Sequence, residues 1–262
     1  MTLSPNVVDS AAELLYSAQN GRAPIGPLTE RFPDLDVEGA YAIQQVNLSR
    51  RIAEGRVVVG HKIGLTSEPM QTLLGVDEPD FGYILDDMVL TNGSAVPCGR
   101  FCAPRVEPEI AFLLREPLRG PGVTAAEVRA ATKAVAVALE VVDSRIADWK
   151  LTLPDTVADN ASSGAVVLGQ WHPFDSRLDL AAARASLSLN GVEIDTGVGA
   201  AVMGDPAEAV AWLANALAPF GTEILPDQFV MSGSFTSAAF VHAGYHAATT
   251  ISGLGTVSLS FT

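Results

Sequence analysis

Cysteine is scarce in this chain. Cys98 and Cys102 are its only two thiols, too few for a disulfide framework, and no histidine cluster beside them completes a zinc site. Positive charge is also in short supply: 16 Lys and Arg stand against 30 Asp and Glu, a formal net charge of -14. Such a surface repels nucleic-acid phosphates and anionic lipid heads, so neither nucleic acid nor membrane is expected as a partner. Apolar stretches such as "AVAVALEVV" (134–142) fall well short of the roughly 20 residues that span a bilayer. The N-terminus "MTLSPNVVDSAAELL" lacks the basic head and apolar run of a signal peptide, which leads us to expect a cytoplasmic protein. No glycine-rich phosphate loop sits at a strand-to-helix turn, so no nucleotide cofactor is indicated. His61, His172, His242 and His246 form no spaced cluster, either for a metal or for a Ser-His pair.

What is present is a chain of 262 residues, 48% hydrophobic, enough for a substantial core. Ser10 with Glu13 has the form of a capping box and predicts a helix running toward Gly21. A second helix is predicted from Asp36, with Tyr41, Leu48 and Ile52 on one face and a stop at Gly55. "VVVG" (57–60) reads as a short buried strand and "PMQTLLG" (69–75) as a brief helix. Beyond residue 90 strands dominate: Ile110 to Leu114, the β-branched run 134–142, a hairpin in "SLSLNGVEI" (186–194) turning at Asn190-Gly191, and a terminal strand pair in "TTISGLGTVSLSF". Two helices interrupt them, one capped by Thr124 and Glu127, the other opened by Asp205-Pro206 with Val210, Leu213 and Leu217 facing the core. The pattern is α+β, with a helical N-terminal part over 1–75 and the remainder, 76–262, as the catalytic domain.

"RVEPEIAFLL" (105–114) poses a chemical problem. Along a strand Glu107 and Glu109 point to the same side, and like charges held together need a cation, an arginine or a shared proton. A third carboxylate, Glu140, lies inside the apolar strand "AVALEVVD", where an unpaired charge is costly to bury. Should the two strands be neighbours, three oxygen donors meet in a set suited to Mg²⁺ or Mn²⁺. Spacing leaves a second reading equally open, in which Glu107 is a solvated strand end and Glu140 pairs with Arg105 or Arg145.

Seven motifs in order then bear on the choice: "GHKIGLTS" (60–67), "LGVDEPDFGYILDDM" (74–88), "PRVEPEIAFLL" (104–114), "ALEVVDSRIADWK" (138–150), "DTVADNASSGAVVLG" (155–169), "MSGSFT" (231–236) and "GLG" (253–255). Together they resemble the 2-keto-4-pentenoate hydratase and 4-oxalocrotonate decarboxylase group of the fumarylacetoacetate hydrolase superfamily, over nearly the whole chain. The resemblance implies a mixed β-barrel or rolled-sheet core with a smaller helical N-terminal part, and a divalent metal on Glu107, Glu109 and Glu140. It singles out Lys62 and Asp80 as the proton-transfer pair, and Leu65, Asp159, Asn160, Ser162, Ser163, Ser234 and Thr236 as substrate-binding. Composition alone favours a snorkelling surface lysine at Lys62, and Asp80 in its tight loop reads equally as a turn residue, whereas Gly60 and Gly64 beside Lys62 leave room for its ammonium to enter a cleft. For Lys62 in a cleft, desolvation would lower the pKa.

The activity implied is hydration of a 2-hydroxypenta-2,4-dienoate-type substrate to a 4-hydroxy-2-oxoacid, in the degradation of aromatic compounds after ring cleavage. A decarboxylase of 2-oxo-3-hexenedioate and a non-catalytic partner subunit are the rival readings. "DEPDFG" and "RIADWK" lean toward the hydratases, and no histidine occupies the motif context that carbon-carbon bond hydrolysis requires. The resemblance further implies a homo-oligomer built on pentamers and association with a decarboxylase or aldolase of the pathway. Tyr245 and His246 stand where many relatives have a Gly-Asp pair, a departure expected to touch a loop or a subunit contact.

Overall fold

The computed structural model describes residues 3–67, 71–72 and 75–262; the short helix expected over 69–75 falls largely outside them. Helix α1 (Pro5–Gly21) opens one and a half turns before Ser10. Ser4 is its N-cap and Pro5 its first residue, and that proline, whose fixed φ suits a helix start, replaces the expected capping box. Ser10 lies inside the helix, its hydroxyl donating back to the Asn6 carbonyl at 2.7 Å. A short helix α2 (Leu28–Arg31) follows. Helix α3 (Val37–Ala53) begins as expected, with Asp36 accepting from the Gly39 N–H at 2.8 Å. Its buried face carries Ala40, Tyr41, Ile43 and Gln44, whereas Ile52 in the last turn remains half exposed. The small residues Ala11, Ala12 and Ala18 of α1 let α3 pack close, and Asn47 donates across the contact to the Ala12 carbonyl at 3.0 Å.

The larger sheet contains nine described strands. Its main path runs β2 (Asp80–Leu85), β1 (Val58–Gly64), β11 (Phe229–Met231), β5 (Pro104–Leu114), β6 (Thr132–Asp143), β7 (Ser163–Leu168) and β3 (Val89–Leu90). β12 (Ala239–Phe240) adds to β5 and β8 (His172–Pro173) to β6. The sheet curls far enough for β2 to touch β7 across the interior. It takes strands from both sides of residue 75, so the boundary expected there does not divide it. A second sheet has the order β10 (Val192–Val198), β9 (Arg184–Leu189), β13 (His246–Ile251), β14 (Gly255–Phe261) and β4 (Ala95–Val96). The β9-β10 hairpin turns on Asn190 and Gly191, both with positive φ (51° and 79°), as the Asn-Gly signal requires. Helices α4 (Ala125–Ala131), α5 (Leu153–Ala158) and α6 (Pro206–Leu217) complete the fold, and Val210, Leu213 and Leu217 of α6 are fully buried. Among the described residues no helix is long and apolar enough to cross a membrane.

Period-two alternation gives the curled sheet two chemically different faces. One, with Phe81, Ile110, Phe112, Val137, Leu139 and Val141, belongs to the main core together with the helices and the second sheet. The other, inside the curl, carries Lys62, Asp80, Glu107, Glu109 and Glu140, continued by a smaller cluster of Ile84, Ala111, Ala138, Val166, Phe229 and Met231. β5 is longer than its apolar run because it passes through Pro108. The proline is tolerated because, on the side away from β6, it falls between the stretches that pair with β12 (105–106) and β11 (111–113); there its carbonyl accepts the Phe235 N–H at 3.0 Å. β1 likewise runs past Gly60, so Lys62 lies within the strand rather than after it. His61 turns into the core beside Tyr83, and Lys62 into the curl.

Candidate metal and proton-transfer site

β5 and β6 set the acidic cluster. Their register places Glu107 directly opposite Glu140, with Glu109 two residues along the same face, and one oxygen of each lies within 4.8 Å of the others. Glu109 and Glu140 are fully buried. Burial pushes all three carboxyls up, and repulsion from neighbouring glutamates adds to it at two of them: Glu107 rises to about 7, Glu109 well above the ordinary range. Glu140 rises too, against the pull of Lys62. Glu109 Oε2 accepts the Gly233 N–H at 2.8 Å, while Glu109 Oε1 and both oxygens of Glu140 have no hydrogen-bond partner. Unsatisfied buried oxygens of this kind call for a ligand, and a set of carboxylates alone fits a hard divalent cation.

Lys62, also buried, stands 3.6 Å from Glu140 Oε1, an ion pair too long to be a hydrogen bond. Its Nζ donates instead to the Ala161 carbonyl at 2.7 Å. Burial pulls its pKa down, as expected, yet Glu140, Asp80, Glu107 and Glu109 together outweigh that and the net shift is upward. Glu140 thus pairs with neither Arg105 nor Arg145.

Asp80 opens β2 with its carboxyl buried and raised by desolvation. Oδ2 accepts from Thr156 Oγ1 at 3.0 Å, and Oδ1 has no partner. Between Asp80 and Lys62 lies Gly64, where an added Cβ would stand 2.2 Å from Asp80 Oδ1 and 3.2 Å from Lys62 Nζ. The glycine is therefore the gap that both groups border. Gln44 of α3 donates to the Phe81 and Val157 carbonyls at 2.9 and 3.0 Å, tying the strand that carries Asp80 to the helix that carries Thr156.

The Ala161 carbonyl is aimed by an unusual turn. Asn160, Ala161 and Ser162 all have positive φ (56°, 49° and 52°), conformations that persist only where neighbours enforce them. The Asn160 side chain brackets Tyr83, accepting its N–H at 2.8 Å and donating to its carbonyl at 2.9 Å. Asp159 accepts from Arg145 Nε at 2.5 Å and from the Arg145 N–H at 3.0 Å; burial raises it to about 6 against that pairing. Arg145 also holds the Asp143 and Ser163 carbonyls at 2.6 and 2.8 Å. In this structure Asp159, Asn160 and Ser162 thus spend their side chains on the turn itself, Ser162 on Asp159 at 3.3 Å. Ser163 Oγ is buried without a partner. Leu65, also at positive φ (56°), follows β1 and accepts Gln71 Nε2 at 2.8 Å. Ser234 donates to the Thr236 carbonyl at 2.8 Å and Thr236 Oγ1 to that of Ser237 at 3.1 Å, one residue beyond the amide that binds Glu109.

The structure therefore brings Lys62, Asp80, Glu107, Glu109 and Glu140 into one group, with the 159–163 turn and the 233–236 segment against it. From the sequence, Gly64 is read only as a neighbour of Lys62 and "GSFT" (233–236) only as a source of backbone amides, while Thr156 and the Ala161 carbonyl are missed. Gly64 and Thr156 lay inside quoted motifs, but backbone groups leave no residue-type signal.

Residues 51–261 match the family model for the fumarylacetoacetate (FAA) hydrolase C-terminal region. The 2-hydroxyhexa-2,4-dienoate hydratase of Comamonas testosteroni is 45% identical over 97% of each chain. The 2-keto-4-pentenoate hydratase of Paraburkholderia xenovorans is 43% identical over 99% of this chain and 96% of its own. Among solved structures, 4-oxalocrotonate decarboxylase from Pseudomonas putida G7, complexed with magnesium and adipate, superposes with a TM-score of 0.96 at 35% identity, covering 100% of this chain and 99% of that one. With this fold, and with related sequence along nearly its entire length, the chain belongs to the 2-keto-4-pentenoate hydratase family within the fumarylacetoacetate hydrolase superfamily.

Proposed function

We propose that this protein is a hydro-lyase that adds water to 2-hydroxypenta-2,4-dienoate-type intermediates of aromatic ring degradation, giving 4-hydroxy-2-oxoacids. The observation that carries it is the convergence of Lys62 and Asp80 at Gly64, beside a cluster of three glutamates in which Glu109 Oε1 and both oxygens of Glu140 are buried without partners. Relatives with hydratase names that align over nearly the full chain support the same reaction.

Glu107, Glu109 and Glu140 would hold Mg²⁺ or Mn²⁺, which when bound supplies Lewis acidity toward the C1 carboxylate and 2-oxygen of the substrate. The remaining steps belong to the chain's own groups. Ketonisation moves one proton from the 2-hydroxyl to C5 and leaves a double bond between C3 and C4, conjugated to the new carbonyl. Lys62, kept as an ammonium by the carboxylates around it, is placed to give a proton. Asp80, whose free Oδ1 shares the Gly64 gap, is placed to take one. Water then adds its oxygen at C4 and a proton at C3. Each positioned group contributes roughly 10²- to 10⁴-fold. The same reading makes the protein a cytoplasmic homo-oligomer, built on pentamers, that associates with a decarboxylase or aldolase acting on neighbouring intermediates.

The test is a mass-resolved product assay of metal-loaded protein with freshly generated 2-hydroxypenta-2,4-dienoate, with and without chelator. Gain of one water that the chelator abolishes is expected. The near-complete superposition on a 4-oxalocrotonate decarboxylase favours a second reading, tested in parallel with 2-oxo-3-hexenedioate. Loss of CO₂ from that diacid, with the dienoate untouched, would replace hydration by decarboxylation. Silence on both would point to a non-catalytic partner subunit.

A further inference from the structure

We infer that Arg105 is the carboxylate receptor of this site, clamped between Trp149 and Phe240. The inference rests on the reading above in taking the ligand to be an oxoacid-type substrate. Arg105, Glu107 and Glu109 stand at alternate positions of β5 and face the same way, so the guanidinium borders the metal-binding carboxylates. Its Cζ lies over the Trp149 ring at 4.1 Å from the centroid and over the Phe240 ring at 4.0 Å. A guanidinium packed against two aromatic rings is left to offer its N–H donors at its edges, in the planar fork that matches a carboxylate.

Two further observations separate this clamp from ordinary packing. In a chain with 30 acidic residues, no ion pair among the described residues includes Arg105, and its Nε is buried without a partner. Glu107, two residues away, attracts the guanidinium but belongs to the acidic cluster and forms no ion pair with it. The upper jaw, moreover, is held in a costly conformation. Asp148 and Trp149 both have positive φ (57° and 55°), and Trp149 Nε1 is anchored to the Ala103 carbonyl at 3.2 Å. Left-handed conformations at two successive non-glycine residues persist only where the surrounding structure over-determines them, and here they lay an indole over one arginine. Phe240, the lower jaw, is directly paired with Arg105 across β12 and β5 and leaves half of its surface open, so the clamp sits at the rim of the site. The carboxylate it takes is either the one beside the 2-oxo group or one at the far end of a diacid.

The experiment titrates the Mg²⁺-loaded full chain calorimetrically with two unreactive probes, 2-oxopentanoate and 2-oxoadipate. Arg105→Leu should weaken at least one of them by about 10- to 100-fold, as loss of a charge-assisted bidentate contact does. Equal loss on both assigns the carboxylate next to the oxo group; loss confined to 2-oxoadipate assigns the distal one. Phe240→Leu, which opens one jaw and keeps the charge, should give a smaller loss on the same probe, and Arg105→Lys an intermediate one. Unchanged affinity for both probes in a folded Arg105→Leu protein that still binds Mn²⁺ overturns the inference. If that variant does not fold, unchanged affinities in both Phe240→Leu and Arg105→Lys overturn it equally. Binding is read without turnover, so a protein that hydrates no dienoate yet loses probe affinity on Arg105→Leu would sink the hydratase reading and leave the receptor standing.

Discussion

Glu107 and Glu140 are direct cross-strand partners in the middle of a sheet, and the pair is joined by Glu109 rather than separated by a cation of the chain. Like charges opposite one another destabilise a sheet, so the metal-free protein carries a built-in cost. Because Glu107 is raised in the folded state to about 7 from an ordinary 4.5, the stability it contributes is full below 4.5 and is lost as pH rises through 7. Allowing for its partial exposure, the loss should be about 2 kcal/mol. In EDTA, denaturant midpoints should therefore fall between pH 5 and 8; with Mg²⁺ or Mn²⁺ at 100 times its dissociation constant, about 2.7 kcal/mol should return. Midpoints in EDTA that ignore pH, or that the metal does not raise, would remove the proposed site.

Gly64→Ala tests whether Lys62 and Asp80 need the gap between them. The new methyl would fall 2.2 Å from Asp80 Oδ1, whose carboxyl is buried and tied to Thr156, so the carboxyl must rotate away from Lys62. Misplacing one reacting group by an ångström costs about 10²-fold, and kcat should fall by at least that much while Mn²⁺ binding by EPR persists. Gly26→Ala, with nothing within 4 Å of the added Cβ, is the control and should keep full activity.

Glu107, Glu109 and Glu140 were legible because a strand repeats every two residues and three acids in apolar strands stand out against that pattern. Lys62 was harder to place, since His61 and Lys62 end the apolar run of β1 although their opposite directions suit one a core and the other a charged cavity. In sequence, Arg145 was one of two arginines set against Glu140. Its actual partner, Asp159, follows from the return of the chain through α5, a long-range fact that local pattern does not contain. The carbonyl of Ala161, which receives the Lys62 proton donor, has no side-chain signature at all; it depends on three left-handed residues that composition would not nominate. Helix α1 was misplaced for the opposite reason, a strong local capping signal at Ser10 overruled by an earlier proline.

His61 supplies an acid limit of opposite sign to the glutamates. Burial lowers its pKa from 6.5 to about 4, and neither ring nitrogen has a hydrogen-bond partner, so the folded protein holds it neutral. A base whose folded pKa is depressed contributes stability that is full above 6.5 and is lost as pH falls toward 4, here about 3 kcal/mol. His61→Leu should flatten the unfolding free energy between pH 6.5 and 4 with metal present throughout. An unaltered acid slope in the variant would show that His61 is already charged or solvated in the native state.

The Arg145 and Asp159 ion pair distinguishes support of the turn from bulk stability. Both side chains are almost wholly buried, so Arg145→Met strands a carboxylate inside the protein and should cost about 3 to 5 kcal/mol. Replacing both partners, Arg145→Met with Asp159→Leu, removes the stranded charge and should recover at least half of that loss. The Asp143 and Ser163 carbonyls and the 159–162 turn would still lack their brace, and with it the aim of the Ala161 carbonyl at Lys62. Hydration by the double variant should accordingly remain at least about 10-fold below wild type in kcat, although its melting temperature recovers and Mn²⁺ still binds. A double variant that regains activity together with stability would reduce the ion pair to a structural role, because positioning of the lysine through Ala161 would then not depend on it.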